Sequence, residues 1–194
     1  MKVYFTGSIR DTGFNTQLFV KIYKEIEELG YEQVNDTILK LSFDDSSLSE
    51  KDTRQDHISR YQAHLGNIKK ADICIFETSA HSLTTGFLIN VALDQQKPTI
   101  VLYYKDNVPY FLEGVDHEKL LIRSYNDKDL KKVVAEVLEQ SREKRDKRFN
   151  FFISPKLLEF LEQTSNSEGI TKSKLIRNLI VEHMRENKVE ENAA

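Results

Sequence analysis

The sequence predicts an α/β protein with a doubly wound parallel sheet of five strands, followed by a small C-terminal unit of a different kind. Three observations indicate this fold class. Short apolar runs alternate along the chain with stretches of helical periodicity. Several of these runs are nearly continuous in apolar residues, which is typical of strands that are covered on both faces. Near residue 142, the charge balance and the residue pattern change together.

The predicted strands are apolar runs bounded by turn residues or polar stretches. In chain order they are KVYFT (2–6), ADICIFE (71–77), TIVLYY (99–104) and KLLIRSY (119–125), the last of which we count as the fifth strand. ADICIFE is the clearest buried strand, and it contains Cys74, the sole cysteine. We expect this thiol to be a small buried residue, and no internal disulfide can form.

The predicted helices lie between these strands and carry start and stop signals. They cover residues 14–29, 49–70, 83–96 and a long stretch from about Asp127. Gly30 ends the first helix. Ser49, with Asp52 three residues further on, forms a capping-box pattern that predicts the start of the second.

The composition is that of an ordinary globular protein and argues against several classes. Hydrophobic residues make up 39% of the chain and charged residues 30%. No apolar stretch approaches the roughly 20 residues of a membrane span, and no signal-peptide pattern follows Met1. We therefore expect a cytoplasmic protein without a membrane partner. The histidines show no metal-ligand spacing, so neither a metal nor a cofactor is expected.

The net charge of −3 hides a split between two parts of the chain. Residues 142–188 hold 11 Lys and Arg against 7 Asp and Glu, whereas residues 1–141 hold 17 against 22. The overall balance argues against indiscriminate binding to nucleic acid, and the basic part marks a boundary. We predict a first domain over 1–141, a basic linker over 142–147, a second domain over 148–188 and a disordered tail over 189–194.

The second domain begins with a β-type run, RFNFFIS, and continues with two helices. Ser154 followed by Pro155 is a good N-cap with proline at the first helical position. Leucines at helical spacing run on to Gly169, and Thr171 can cap a second helix that has its own apolar face. One strand and two helices in about 40 residues cannot enclose a core alone, so this unit should dimerise.

Two predicted strand ends carry residues that suit an anion. They are YFTGSIR (4–10) and ETSAHSLTTG (77–86). The carboxyl ends of parallel strands meet at one edge of the sheet, where ligands bind. Gly7 would let the chain turn tightly, while Ser8 and Arg10 offer a hydroxyl and a guanidinium. Ser82 and the backbone up to Gly86 would form a second cradle, although a serine before a helix is also a common simple cap.

The segments VYFTGSIR and ADICIFETSAHSLTTGFLINVAL resemble the nucleoside 2-deoxyribosyltransferase superfamily, in particular its branch of 2′-deoxynucleoside 5′-monophosphate N-glycosidases. The resemblance runs from Met1 to about Lys144. It implies a flavodoxin-like fold and a nucleotide or phosphorylated nucleoside as ligand. The ligand-binding positions that it implies are Tyr4, Gly7, Ser8, Ile9, Arg10, Ser82 and Gly86. In the family, the position of Tyr4 is a tyrosine of the site, and Gly7 to Arg10 correspond to its phosphate-binding turn. Ser82 corresponds to a serine that contacts phosphate, and Gly86 to a loop glycine.

The same alignment departs from the family at its catalytic carboxylates. The nucleophile, a glutamate two residues after the loop glycine, falls on Leu88, and a second carboxylate falls on His64. Cleavage of an N-glycosidic bond needs a carboxylate at the anomeric carbon and an acid for the departing base, and leucine cannot supply the first. We therefore expect a pocket that has kept its ligand and lost its catalysis, with His64, Glu77 and Leu88 also among its ligand-binding positions.

Other readings of these positions stay open. Leu88 could be a core residue in a chain that shares only the fold, and His64 could be a surface histidine on a helix. Asp11 stands where the family usually has a glycine after the arginine of the phosphate turn. Glu77, which matches a strand-end glutamate of the family, is the sole catalytic candidate if the protein is an enzyme.

The stretch RFNFFISPKLLEFLEQTSNSEGITKSKLIRNLIVEHM resembles a ribbon-helix-helix domain, in which two chains pair their strands into a ribbon that enters the major groove of DNA. Alternation turns Phe149, Phe151 and Ile153 inward. The DNA-facing residues that the resemblance implies are Arg148, Asn150 and Phe152 on the ribbon and Lys172, Ser173 and Lys174 at the start of the second helix. A polar residue is expected at Phe152, so a ribbon that only dimerises or binds a protein is the alternative.

Three hypotheses about function are consistent with the sequence. The first is a ligand-responsive transcriptional regulator, in which a catalytically inactive nucleotide-binding domain is coupled to a ribbon-helix-helix dimer on a double-stranded DNA operator. The second is an active nucleoside or nucleotide N-glycosidase or deoxyribosyltransferase, whose C-terminal unit holds together a homo-oligomer, dimer or higher. The third is a partner-binding component of a mobile-element or defence system.

Overall fold

The structure of the chain is a computed structural model, and it describes residues 1–8, 14–36, 53–143 and 151–191. Its elements are β1 (Lys2–Gly7), α1 (Phe14–Glu28), β2 (Glu32–Gln33), α2 (Arg54–Lys70), β3 (Ile73–Glu77), α3 (Leu83–Asp94), β4 (Thr99–Tyr104), α4 (Tyr110–Glu113), β5 (Leu120–Tyr125), α5 (Leu130–Glu143), α6 (Pro155–Glu168) and α7 (Lys172–Glu191). They fall into two compact units, Met1–Asp146 and Lys147–Ala194.

The first unit is a parallel sheet of five strands in the order β2-β1-β3-β4-β5. The central strands β1 and β3 pair from Val3 and Ile73 to Gly7 and Glu77. The predicted α/β class with a doubly wound parallel sheet is confirmed. In this strand order, the connection after β1 leads to β2 on one side, and the connection after β3 leads to β4 on the other. This reversal opens a crevice between the carboxyl ends of β1 and β3.

Alternating side chains of the central strands divide the core of this unit into two layers. The layer beneath α1 and α5 takes from these strands Val3, Phe5, Ile73 and Ile75. The layer beneath α2 and α3 takes from them Tyr4, Cys74 and Phe76. Burial raises the pKa of the Cys74 thiol to about 12, so this group stays protonated and unreactive. The strands are covered on both faces because consecutive side chains in each of them are apolar.

The start of α2 differs from the predicted start at Ser49. The N-cap is Thr53, whose hydroxyl accepts a hydrogen bond from the backbone N–H of Asp56 at 3.3 Å. The Asp56 carboxylate in turn accepts from the Thr53 N–H at 2.9 Å, which completes a capping box. The predicted capping pair, Ser49 and Asp52, lies outside the described residues.

Two elements escaped the sequence-based prediction because they are too short to show a period. β2 contains only Glu32 and Gln33, at the edge of the sheet. α4 is a four-residue helix between β4 and β5. All other elements of the first unit lie within a few residues of their predicted limits.

Gly7 is needed for close packing rather than for a tight turn. Positive φ angles occur at Gly30 and Gly169 among the described glycines, and not at Gly7. A Cβ atom on Gly7 would lie 2.6 Å from the Phe19 ring and 2.7 Å from the Glu77 carbonyl oxygen. The expectation that Gly7 provides a sharp turn is therefore corrected: the strand end has no room for a side chain.

The second unit consists of α6 and α7 joined at Gly169. Ser154 caps α6 and Pro155 occupies its first turn, as the sequence predicts, while Gly169 ends it with a φ of 65°. Of the predicted strand, residues 151–154 are described, and they are neither helix nor strand. Residues 148–150 lie outside the described residues. A ribbon of this kind needs the strand of a second chain.

Large apolar side chains stay exposed on the second unit, although Leu161 and Leu175 are buried. Those exposed are Phe151, Phe152, Leu157, Leu158, Phe160, Leu179, Ile180 and Met184. Two helices alone cannot cover these side chains. Such exposure is expected of a unit that completes its core with another molecule. Within the described part of the chain, no helix is both long and apolar enough to cross a membrane.

Replacing Gly7 by alanine tests the packing at the end of β1. We expect Gly7→Ala to lower the free energy of unfolding by about 1–3 kcal/mol, because the new methyl group meets a ring and a backbone oxygen. Gly86→Ala is the matched control, since no atom lies within 4 Å of its Cβ position and the residue is helical. It should stabilise the protein by about 0.5–1 kcal/mol. Equal stabilities of the two variants in urea would contradict this account.

Candidate functional site

The crevice at the carboxyl edge of the sheet lies where β1 and β3 end side by side. Gly7 pairs with Glu77, and Ser8 follows as a buried residue. The glycine brings the backbones close together, and the serine hydroxyl is the first polar group beyond the strand. The other two residues of the predicted phosphate turn, Ile9 and Arg10, lie outside the described residues.

Ser82 is the N-cap of α3, the helix that follows β3. Its hydroxyl oxygen accepts a hydrogen bond from the Thr85 N–H at 3.2 Å. Ser82 therefore caps the helix, as serines before helices commonly do, and its contact with a ligand stays a prediction. A hydroxyl that accepts through its oxygen keeps its proton to donate, so the cap does not prevent contact with an anion. The first backbone N–H groups of α3 have no acceptor within the helix, so they favour an anion at this end, as in any helix.

A pocket of about 280 Å³ lies between the start of α3 and the segment around α4. It is lined by Thr78, Ala80, His81, Ser82, Thr85, Gly86, Ile89, Val108, Pro109, Tyr110, Phe111 and Leu112. No lysine, arginine or carboxylate is among these lining residues. Ser82 and Gly86 thus share one wall, as the sequence implies. The 108–112 wall comes from the segment after β4, and its contact with the start of α3 leaves no local pattern in either segment.

Tyr4 and His64, which the resemblance assigned separately to the ligand site, contact each other. The Tyr4 hydroxyl is hydrogen-bonded to Nδ1 of His64. Burial raises the pKa of the Tyr4 phenol, and burial followed by the nearby Arg60 charge lowers the pKa of His64. Both shifts favour the uncharged forms, so this contact joins a phenol to a neutral imidazole. The alternative of a free surface histidine does not hold for His64.

Leu88, at the position of the family nucleophile, is a core residue. Its side chain is 2% exposed and belongs to the apolar layer that contains Tyr4 and Phe76. It does not line the pocket. The interpretation of Leu88 as a core residue is therefore correct for its packing.

Glu77 lies on the opposite face of the sheet from Leu88. It comes two residues after Ile75, whose side chain packs in the layer beneath α1 and α5. Its carboxylate accepts hydrogen bonds from the Tyr125 hydroxyl at 3.0 Å, from the Ser79 N–H at 3.2 Å and from the Ser79 hydroxyl. Burial raises the pKa of Glu77 despite these bonds. This arrangement is that of a structural carboxyl group, and it argues against Glu77 as a replacement nucleophile.

The predicted DNA-facing residues of the second unit are partly described. Arg148 and Asn150 lie outside the described residues. Lys172, Ser173 and Lys174 are exposed at the start of α7, where the Lys174 N–H donates to the Thr171 hydroxyl at 3.2 Å. Lys172 forms an ion pair with Glu162 at 2.6 Å, so Lys174 is the more accessible cation. In the ranges that the structure covers, no cluster of His, Cys, Asp or Glu could hold a metal ion.

Three similarities to known proteins bear on these sites. The chain is 29% identical over 139 residues to "Putative 2'-deoxynucleoside 5'-phosphate N-hydrolase 1" of Methanosarcina barkeri (strain Fusaro / DSM 804), covering 71% of this chain and 84% of that protein. The structure of the Clostridium botulinum CMP N-glycosidase BcmB aligns with a TM-score of 0.48 and 17% identity, covering 71% of this chain and 98% of that one. Residues 124–182 match the family model for the replication regulatory protein RepB.

These findings bear differently on the two parts of the chain. The likeness to the N-hydrolase supports the deoxyribosyltransferase-like assignment of the first segment. The RepB match runs from the end of β5 into α7. It does not name a ribbon-helix-helix fold.

The pH dependence of stability tests the environment of Glu77. Because its pKa is raised above the ordinary 4.5, the folded protein holds this proton more tightly than the unfolded chain does. The stabilisation linked to Glu77 is fully present below the ordinary pKa and is lost as the pH rises through the raised pKa. In urea unfolding, we expect the stability of the wild type relative to Glu77→Gln to shrink over this window and then level off. Glu113→Gln, at an exposed position of α4, is the control and should show no such trend. A difference that grows with pH would mean that the hydrogen bonds outweigh burial.

Proposed function

We propose that this protein is a dimeric DNA-binding regulator whose first domain, residues 1–141, binds a nucleotide or a related phosphorylated nucleoside without cleaving it. The observation that carries the proposal is the environment of Leu88. The side chain at the family's nucleophile position is packed in the core, and it has no chemistry to offer an anomeric carbon.

Neither Glu77 nor the described lining of the pocket supplies a carboxylate for the missing role. Glu77 is held on the far face of the sheet by Ser79 and Tyr125. The residues that line the pocket include no Asp or Glu. His64 is paired with Tyr4 and its lowered pKa favours the neutral form, so it cannot stabilise a cationic sugar as a carboxylate would.

The ligand class rests on the polar groups at the carboxyl edge of the sheet. The Ser8 hydroxyl stands at the switch point, and Ser82 opens a helix of 12 residues whose N-terminus favours an anion. Arg10, which follows Ser8 in the phosphate turn implied by the resemblance, would supply the positive charge. The relative from Methanosarcina barkeri is named for 2′-deoxynucleoside 5′-phosphates, which supports a ligand of this kind.

DNA is the proposed partner of the second domain, residues 148–188. Its support is the excess of Lys and Arg after residue 142, the match of residues 124–182 to a replication regulatory protein, and the apolar surface that a second copy would cover. In this proposal, two chains pair through residues 148–153, Arg148 and Asn150 contact base edges, and Ser173 and Lys174 contact a phosphate. Occupancy of the first domain then regulates transcription or replication at the bound site.

An active N-glycosidase is the second candidate, and the 29% identity to a protein named as an N-hydrolase favours it. It would require a carboxylate from outside the described residues or from another chain to reach the anomeric carbon. The second domain would then serve only to hold the oligomer together. Chemical analysis of the ligand after incubation separates the two candidates.

Binding without cleavage is tested by thermal unfolding and by chromatography of the ligand. We expect deoxynucleoside monophosphates to raise the melting temperature of the full chain, because they bind the native state, and to be recovered intact. Arg10→Ala should remove most of the shift. Steady release of free base would overturn the non-catalytic proposal, and the absence of a shift at millimolar ligand would overturn the proposed site.

The pocket wall offers a matched pair of variants for the same assay. Gly86→Leu places a side chain toward open space on the pocket wall and should weaken ligand binding without unfolding the protein. Gly66→Leu, on α2, is the control, since its Cβ position is equally free of neighbours. If both variants bind as the wild type does, the ligand does not use this pocket.

Sequence-specific DNA binding is tested by selection from a random pool of duplex oligonucleotides. We expect a palindromic or repeated site, because a two-fold ribbon presents the same residues to each half-site. Arg148→Ala should cost about 1–3 kcal/mol and relax specificity at one position. Lys174→Ala should weaken binding to all sequences alike and reduce the salt dependence. A pool without enrichment would reduce the ribbon to a dimerisation device.

A further inference from the structure

The loop that leads from β3 into α3 forms part of the pocket wall, and one of its residues is turned away from the pocket. From Thr78 to Ser82, every residue except Ser79 lines the pocket. Ser79 is half-buried, and its hydroxyl donates to the Glu77 carboxylate on the face of the sheet beneath α1 and α5. The loop therefore presents its other residues to the pocket, while Ser79 fastens it to the opposite face.

Ser79 is held by three hydrogen bonds. Its backbone N–H donates to the Glu77 carboxylate at 3.2 Å, and its hydroxyl donates to the same group. The hydroxyl oxygen also accepts from the Tyr104 N–H at 2.7 Å, which ties the loop to the end of β4. A serine hydroxyl can act as donor and acceptor at once, whereas alanine at this position would keep only the backbone bond.

The carboxylate that holds Ser79 is itself fixed in the core. Glu77 is 2% exposed, and its backbone is paired with Gly7 of β1. Its carboxylate also accepts from the hydroxyl of Tyr125, a buried residue of β5, at 3.0 Å. A side chain that is locked by packing and by hydrogen bonds holds its partners in one geometry. Ser79 is therefore bound to a rigid part of the sheet.

The other end of the loop is the N-cap of α3. The Ser82 hydroxyl accepts from the Thr85 N–H at 3.2 Å, which fixes this residue to the helix. Ala80 and His81 span the distance between the two fixed ends, and both line the pocket. Without the bonds of the Ser79 hydroxyl, the loop would have to be ordered when a ligand binds. Such ordering lowers affinity.

We propose that Ser79 is a positioning residue of the ligand site, which holds residues 78–82 in their binding conformation through its bonds to Glu77 and Tyr104. This inference rests on the proposed nucleotide binding and deepens it. It also assigns the buried Glu77 carboxyl group an indirect part in ligand affinity, exerted through the loop.

The test is isothermal titration calorimetry of the full-length protein with the 5′-monophosphates of deoxyadenosine, deoxycytidine, deoxyguanosine and thymidine. The nucleotide that the wild type binds most tightly is then titrated into the variants. We expect Ser79→Ala to weaken binding about 10-fold, because the hydrogen bonds of the hydroxyl are lost. Ser79→Thr keeps the hydroxyl and should restore most of the affinity.

Ser141→Ala is the matched control for the loss of a serine hydroxyl. Ser141 is fully buried on α5 of the same unit, and its hydroxyl has no hydrogen-bond partner among the described residues. This variant should bind as the wild type does. Urea unfolding of each variant shows that it is folded under the conditions of the titration. A role of Ser79 in stability alone would lower the unfolding midpoint and leave the affinity unchanged.

Glu77→Gln tests the anchor of the loop. The amide has one acceptor oxygen in place of two, and its NH₂ group cannot accept from the Ser79 donors. We expect this change to weaken nucleotide binding by a factor similar to that of Ser79→Ala. The double variant should bind about as weakly as the weaker single variant, because both changes break one contact.

Three results would overturn the inference. If folded Ser79→Ala binds the nucleotide as tightly as the wild type does, the inference fails and the proposed function stands. If Ser79→Thr binds as weakly as Ser79→Ala, or if the effects of Glu77→Gln and Ser79→Ala multiply, the hydroxyl does not act through Glu77. If the wild type binds none of the four nucleotides, the proposed ligand fails and the inference fails with it.

Discussion

The pairing of β1 with β3 is the constraint on which the first domain depends. The register that joins Gly7 to Glu77 leaves no space for a side chain between Phe19 and the Glu77 carbonyl group. It brings Ser8 to the edge where β3 turns toward Ser82, and it opens the crevice at the reversal of strand order. The same register assigns each side chain of β3 to one of two faces. The ligand edge and the separation of Glu77 from Leu88 are therefore consequences of one set of backbone contacts.

Most of the fold could be predicted because its signals are local. Runs such as ADICIFE are apolar at every position, and helical spacing with caps marks α1, α3 and α6. The two-residue β2 and the short α4 could not be found, since neither is long enough to show a period. The start of α2 was misplaced because two capping-box patterns follow each other, and the sequence does not say which one the helix uses.

The sequence nominates residues for the candidate site, and their membership stays a prediction, but it does not predict their geometry. The resemblance identified Tyr4 and His64, but only the fold shows that they are hydrogen-bonded. The opposite orientation of Glu77 follows from strand alternation once Ile75 is known to face α1, which is a tertiary fact. The wall at residues 108–112 depends on a contact between segments that are distant in sequence, and such contacts leave no pattern in either segment.

The two units complement each other in what they lack. The first has a buried core and carries Leu88 where the N-glycosidases that it resembles have their nucleophile, whereas the second leaves large apolar side chains exposed. Dimerisation through the second unit would place two ligand domains on every bound DNA site. Regulation then requires two states of the dimer that differ in DNA affinity, and the nucleotide must bind them with different affinities. DNA binding must in turn change nucleotide affinity by the same factor.

The most direct measurement is the DNA affinity of the full-length protein across a titration with a deoxynucleoside monophosphate, followed by analysis of the recovered nucleotide. The account predicts that DNA affinity changes by about 5- to 150-fold at saturation, in either direction, and that the nucleotide is recovered intact. An Arg10→Ala protein should keep its DNA affinity and lose the response. Unchanged DNA affinity with the ligand demonstrably bound, or conversion of the nucleotide to free base, would contradict the central claim that the first domain senses and does not catalyse.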